Sequence, residues 1–255
     1  MDNKISDEII RVENLTKRFG ELVAVDKVNY SLRKNEIITI IGPNGAGKTT
    51  FFNLITGYFP PDEGTVLYEG EDITGFSPQK RVARGMMRTF QITSTFDNLR
   101  AIDNLILSNF RIHKKSSITK MLFSRLRSNV SHEKIIDCLK TVDLSDVAYK
   151  ETGLLSLGQK RRLELAMALI AKPKVLLLDE PLAGLSEVEI EEILGVLKRH
   201  SHQQTMLLVE HKISKIMVLN ARLTVMHDGK IIADGECDKV INSPEVRKCY
   251  WQIDS

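Results

Sequence analysis

Gly42-Pro43-Asn44-Gly45-Ala46-Gly47-Lys48-Thr49 carries three glycines in eight residues. It matches Gly-x-x-x-x-Gly-Lys-Ser/Thr, a phosphate-binding loop. Phosphate oxygens need many backbone N–H donors converging on one point, and glycines let the chain curl closely enough to supply them. The short apolar run Ile37–Ile41 precedes the loop and reads as a buried central strand, while Lys48–Thr56 after it reads as a helix. The positive N-terminal end of that helix would face the same phosphates. Lys48 is expected to reach the β- and γ-phosphates, and the Thr49 hydroxyl to ligate Mg²⁺.

Working outward, Ile9–Leu15, Val23–Leu32 and Thr65–Tyr68 read as further strands, the last set off by the turn Pro60-Pro61-Asp62-Glu63-Gly64. From Leu99 to Asp143 the period becomes helical: Ile118, Met121, Leu122 and Leu126, then Ile135, Ile136, Leu139 and Val142. The α/β pattern then resumes. Gln159–Ala171 and Ser186–His200 read as helices, and Val175–Leu178 and Thr205–Val209 as strands. Ala221–Met226 and Lys230–Ala233 read as strands joined by the Asp228-Gly229 turn, and Ser243 as the N-cap of a terminal helix, Pro244–Gln252. A helical lobe inserted in an α/β core is the expected plan.

Composition bounds the function. The 255 residues are 42% apolar and 27% charged, which suits one globular unit with a real core. Cys138, Cys237 and Cys249 form neither a CxxC pair nor a secreted framework, so reduced cysteines are expected. His200 and His202 read as a solvated helix end rather than metal ligands. Met1–Ile10 has no apolar signal core, and runs such as Val175–Leu178 are too short to span a bilayer. Any membrane role is therefore expected to pass through a partner. A net charge of +3 does not argue for nucleic acid.

Val175–Leu178 runs into Asp179-Glu180. Beside a phosphate loop, Asp179 is expected to hold Mg²⁺ and Glu180 to orient or deprotonate the attacking water. Adjacent residues on an extended chain point different ways, so the two can divide these tasks. His211 follows the apolar strand Met206–Val209, in the place of a γ-phosphate sensor.

Leu155-Ser156-Leu157-Gly158-Gln159 resembles the signature motif of ABC ATPases, Leu-Ser-Gly-Gly-Gln. The resemblance extends over nearly the whole chain. Phe19 resembles the aromatic that stacks on adenine, and Gln91, in Arg88-Thr89-Phe90-Gln91, the glutamine linking γ-phosphate and Mg²⁺ to the helical lobe. Ala183-Gly184-Leu185-Ser186 sits where the D-loop belongs, and His211 matches the switch histidine. The resemblance implies a P-loop NTPase core of ABC type, with an antiparallel β subdomain and an inserted helical subdomain. The implied division is about 1–98 and 160–243 for the core with its β subdomain, 99–159 for the helical subdomain and 244–255 for a tail.

The same resemblance implies two cassettes docked head to tail with ATP between them. Phe19, Gly42, Pro43, Asn44, Gly45, Ala46, Gly47, Lys48, Thr49, Thr50, Gln91 and His211 would bind this chain's ATP. Ser156, Gly158 and Gln159 would touch the partner's. Thr49, Gln91 and Asp179 would hold Mg²⁺, and Glu180, His211, Lys48 and Gln91 would carry catalysis. There are departures: Leu157 replaces a glycine, Ser186 stands where Asp is common, and Lys212 where an acid is common.

Within the superfamily the chain resembles ATPases of branched-chain amino acid uptake systems and their urea and amide relatives. The residues carrying this are Arg88–Gln91, Glu180-Pro181-Leu182-Ala183-Gly184-Leu185 and Pro244–Tyr250. The implied partners are a second ABC ATPase, permease subunits and, indirectly, a substrate-binding protein at the inner face of the membrane. A soluble ABC ATPase acting on nucleic acid or ribosomes, and a P-loop kinase, are the competing readings. Arg111, Lys114, Lys115, Lys120, Arg125 and Arg127 crowd a stretch without acids, which reads either as a solvated helix face or as a surface near anionic headgroups.

Overall fold

Three five-residue strands form the centre of the molecule because they carry almost nothing polar. β3 (Ile37–Ile41), β7 (Val175–Asp179) and β8 (Thr205–Val209) are buried along their whole length, as befits parallel strands covered on both faces. The computed structural model describes residues 7–89, 95–113, 132–219 and 221–251. Within these, β6 (Met86–Arg88), β9 (Arg222–His227) and β10 (Lys230–Glu236) complete a sheet in the order β10-β9-β3-β8-β7-β6. It is parallel except for β10, which returns antiparallel to β9 through the Asp228-Gly229 turn.

A second sheet, wholly antiparallel, has the order β2-β1-β4-β5, from β1 (Glu8–Phe19), β2 (Leu22–Arg33), β4 (Glu63–Tyr68) and β5 (Glu71–Asp72). β1 and β2 run further than the apolar residues alone suggested. Pairing of β1 with β2 continues through Glu8, Lys17 and Arg18, so that ladder holds polar residues at both ends of β1 in extended form.

Alternation along the central strands sorts their side chains into two cores. Ile38, Ile40, Leu177, Leu207 and Val209 join Phe51, Phe52, Leu54 and Ile55 of α1 (Lys48–Thr56) and the inner face of the antiparallel sheet. Ile37, Ile41, Leu176, Leu178, Met206 and Leu208 join the opposite core. There they meet residues of α3 (Ala101–His113), α4 (His132–Thr141), α5 (Leu157–Leu169) and α6 (Glu187–His200). The expected apolar set Ile118, Met121, Leu122 and Leu126 lies outside the described residues. The chain closes with α7 (Ile213–Ile216), α8 (Cys237–Ile241) and α9 (Pro244–Trp251). The Ser243 hydroxyl, expected to cap α9, donates to the Val240 carbonyl of α8 at 2.9 Å.

Helix α1 ends on an unforeseen device. α2 (Pro78–Val82), N-capped by Ser77, carries Arg81, which is 1% exposed. Its guanidinium donates to the carbonyls of Leu54 and Ile55 at 3.0 and 2.6 Å, and to those of Ile73, Thr74 and Phe76 at 2.8, 3.0 and 3.1 Å. It thus satisfies the Ile55 carbonyl, gives that of Leu54 a second donor beside the Gly57 N–H, and ties the end of α1 to the chain after β5. Burial lowers its pKa to about 10, so it stays charged at neutral pH. Gly57 fits beneath it, since a Cβ there would lie 2.7 Å from Arg81 Nε. Replacing Arg81 with Met should therefore destabilise the fold by about 3 kcal/mol in urea unfolding, because several buried carbonyls lose their donors together. Lys, with no fork of donors, should recover only part of it.

Candidate nucleotide-binding site

The loop between β3 and α1 is held by backbone against backbone. A Cβ on Gly42 would sit 2.3 Å from the Met226 carbonyl oxygen of β9, and one on Gly47 2.2 Å from that of Ala24 in β2. Gly47 also has φ 95°, a left-handed conformation that suits glycine. A Cβ on Gly45 would meet nothing within 4 Å, so the loop is crowded on one side and open on the other. The first turn of α1 carries no acid and takes no side-chain cap at Gly47. A helix start of this kind suits an anion.

Lys48 is buried and donates to the carbonyls of Gly42 and Pro43 at 2.7 and 2.9 Å. Its pKa is lowered by burial, against which the charge of Glu180 works. A cationic head held over the loop by two weak neutral acceptors is well matched to phosphate. Thr49 is exposed and Thr50 half-buried on the same turn, with Ala46 buried behind Asn44 and Gly45.

At the end of β7 the two carboxylates diverge as expected. Asp179, 5% exposed, accepts from Arg88 Nη2 at 2.7 Å. Glu180 lies 3.1 Å from His211 Nε2 through its Oε1. Its backbone has φ 49°, unusual for a side chain of this size and a form of strain that gathers at functional sites. The Glu180 N–H still donates to the Val209 carbonyl at 2.9 Å, so β7 and β8 deliver Glu180 and His211 to one place. Hard oxygens at Asp179 and Thr49 suit Mg²⁺ bound jointly with phosphates.

Ser156 caps α5. Its hydroxyl accepts from the Gln159 N–H at 3.2 Å, and the Gln159 side chain accepts from the Ser156 N–H at 3.0 Å, a closed capping box. Leu157 lies on the exposed surface, its Cδ2 3.4 Å from where a Cβ on Gly184 would stand. The departure from glycine is thus accommodated against the segment preceding α6. Phe19 is 45% exposed at the end of β1, edge-on to Phe59. Gln91 and the cations Lys114, Lys115, Lys120, Arg125 and Arg127 lie outside the described residues.

A family model described as ABC transporter matches residues 25–183. The chain belongs to the ABC transporter family. It is 35% identical over 252 residues to the high-affinity branched-chain amino acid transport ATP-binding protein BraF of Pseudomonas aeruginosa, covering 96% of this chain and 98% of that one. LivG of Escherichia coli, of the same description, is 34% identical with 96% and 98% covered. The ADP conformation of MJ1267, an ATP-binding cassette of an ABC transporter, has a TM-score of 0.80 at 33% identity, covering 96% of this chain and 99% of that one. The chain is an ATPase cassette with the ABC fold, and it binds ATP.

Two residues of this cassette were given no role of their own from sequence. Arg88 is the first. Besides Asp179 it donates to Asn53 Oδ1 at 2.6 Å and Thr56 Oγ1 at 3.1 Å, and its guanidinium lies 4.9 Å from the Phe52 ring centre. It therefore fixes Asp179 to α1. Only the pairing of β6 with β7 brings it there, and three residues are too few to read as a strand. The second is Glu210, 2% exposed, which accepts from the N–H groups of Leu182 at 2.7 Å and His211 at 3.1 Å. Burial raises its pKa. It ties the turn after Glu180 to the turn carrying His211. An acid directly after an all-apolar strand was the available signal.

Arg88→Met should cost about 3 kcal/mol of stability, since it strands a buried carboxylate at Asp179. Arg88→Lys should cost less. Urea unfolding of the two variants measures this, and a loss no larger than an exposed ion pair's, about 0.5 kcal/mol, would show that Asp179 does not depend on Arg88.

Proposed function

We propose that this chain is the energy-coupling subunit of an importer for branched-chain amino acids, working in a pair of cassettes beneath permease subunits. The approach of Glu180 to His211 beside the phosphate loop carries the catalytic part of this reading. The names of the relatives support the cargo. Among the described residues no helix is long and apolar enough to cross a membrane, which suits a subunit that reaches the bilayer through others.

In this reading the loop from Gly42 to Thr50 binds the phosphates, Lys48 reaches their outer oxygens, and Phe19 stacks on the base. Thr49, Asp179 and Gln91 would hold Mg²⁺, which would supply neutralisation of phosphate charge when bound. Glu180 takes or orients a proton of the attacking water, and His211 holds Glu180 and senses the γ-phosphate. Ser156, Gly158 and Gln159 face the ATP of the second cassette, identical or homologous. The lobe from about 99 to 159 carries this signature toward the partner.

Glu180→Gln tests the catalytic assignment. The amide keeps the shape but is no base, so ATP should bind, hydrolysis should stop, and a dimer should persist in gel filtration with ATP and Mg²⁺. Normal turnover would contradict the role of Glu180. Deleting the gene should abolish high-affinity uptake of labelled leucine, isoleucine and valine and leave uptake of urea unchanged; the opposite pattern would reassign the cargo.

A further inference from the structure

The donors of the signature turn already hold an anion, and it comes from the chain itself. Glu189, in the first turn of α6, presents its Oε1 to the Ser156 hydroxyl at 3.0 Å and to the Gly158 N–H at 2.9 Å. Its Oε2 accepts from the Ser186 N–H at 3.1 Å and the Ser186 hydroxyl at 2.9 Å. One carboxylate thus caps two helices, with one oxygen for each. The N-terminal ends of α5 and α6 would otherwise set two partial positive charges side by side.

The fit is close. A Cβ on Gly158 would stand 2.6 Å from Glu189 Cγ and 2.7 Å from Oε1, so only glycine admits the carboxylate here. The backbone and hydroxyl donors of Ser186, with those of Gly158 and Ser156, hold the carboxyl at about 2, far below the usual carboxylate range. It therefore stays ionised at any physiological pH, and protonation cannot release it. A hydroxyl and a backbone N–H converging on one anionic oxygen at a helix start is also the arrangement that receives a phosphate oxygen.

We propose that Glu189 is an internal stand-in for phosphate at the signature turn, displaced when ATP held by the second cassette arrives at Ser156 and Gly158. This rests on the reading that those two residues face the partner's nucleotide. The triphosphate carries more charge than one carboxylate and brings more acceptor oxygens, so it wins once the cassettes close. Until then Glu189 keeps the donors of α5 satisfied and opposes closure. Ser186 serves the device by holding the other oxygen through a local capping box, which Ser186 and Glu189 complete within α6.

Glu189→Gln separates the two halves of the clasp. Glutamine is accepted at this position of a capping box, so the cap on α6 remains. It has a single acceptor oxygen and cannot accept from the Ser186 and Gly158 N–H groups together. Glu189→Asp keeps the charge but is one methylene too short to bridge both helices. Each is combined with Glu180→Gln, and ATP-driven pairing is titrated by light scattering, with the chain alone and with the second cassette of its transporter. Half-saturating ATP for pairing should fall several-fold in both variants, while nucleotide affinity of the unpaired chain stays unchanged. An unchanged or higher half-saturation in a normally folded variant overturns the stand-in role and leaves the paired cassette intact. If the parent Glu180→Gln chain fails to pair in either mixture, the paired reading falls and the inference with it.

Discussion

Two close approaches of backbone to backbone, at Gly42 and Gly47, set the terms for everything around them. The phosphate loop is pressed against the carbonyls of Met226 and Ala24, which belong to different sheets. Gly229, in the turn between β9 and β10, donates to the Ala46 carbonyl at 3.1 Å and accepts from the Asp26 N–H at 2.9 Å. The loop is thereby the joint at which the parallel and antiparallel sheets meet. A side chain at either glycine would move a sheet, not merely a loop, so the cradle is shaped before any ligand arrives.

From that joint the chemistry spreads along strand ends. Parallel β3, β7 and β8 finish on the same edge, where such sheets gather ligands. Lys48, the Asp179–Glu180 pair and the Glu210–His211 pair come from those ends. Each carboxylate is steadied differently: Asp179 by a buried guanidinium, Glu180 by His211, and Glu210 by two backbone N–H groups. Burial and donor geometry, rather than residue type, give three neighbouring acids three different surroundings.

Much of this was legible in the residues. The loop, the apolar strands of period one and the pairing of Asp179 with Glu180 are written locally, because each depends on neighbours in the chain. What escaped reading depends on distant partners. Arg81 looks like a surface cation until α2 lays it under the carbonyls of α1. Arg88 needs the pairing of β6 to β7, and Glu189 needs α6 to start beside α5. Its spacing from Ser186 is that of a local capping box, but nothing in the sequence announced that its other oxygen would reach Ser156, 33 residues away.

In the proposed pair, each chain binds nucleotide with its own loop and completes its partner's site with its signature turn. Nucleotide affinity of isolated, unpaired chains separates the two functions most directly. A Ser156→Arg chain should bind ATP as tightly as the unaltered chain, because nothing in its own cradle changes, while a Lys48→Ala chain should bind far more weakly. Loss of nucleotide binding by the isolated Ser156→Arg chain would place the signature in the same site as its own loop and contradict the account.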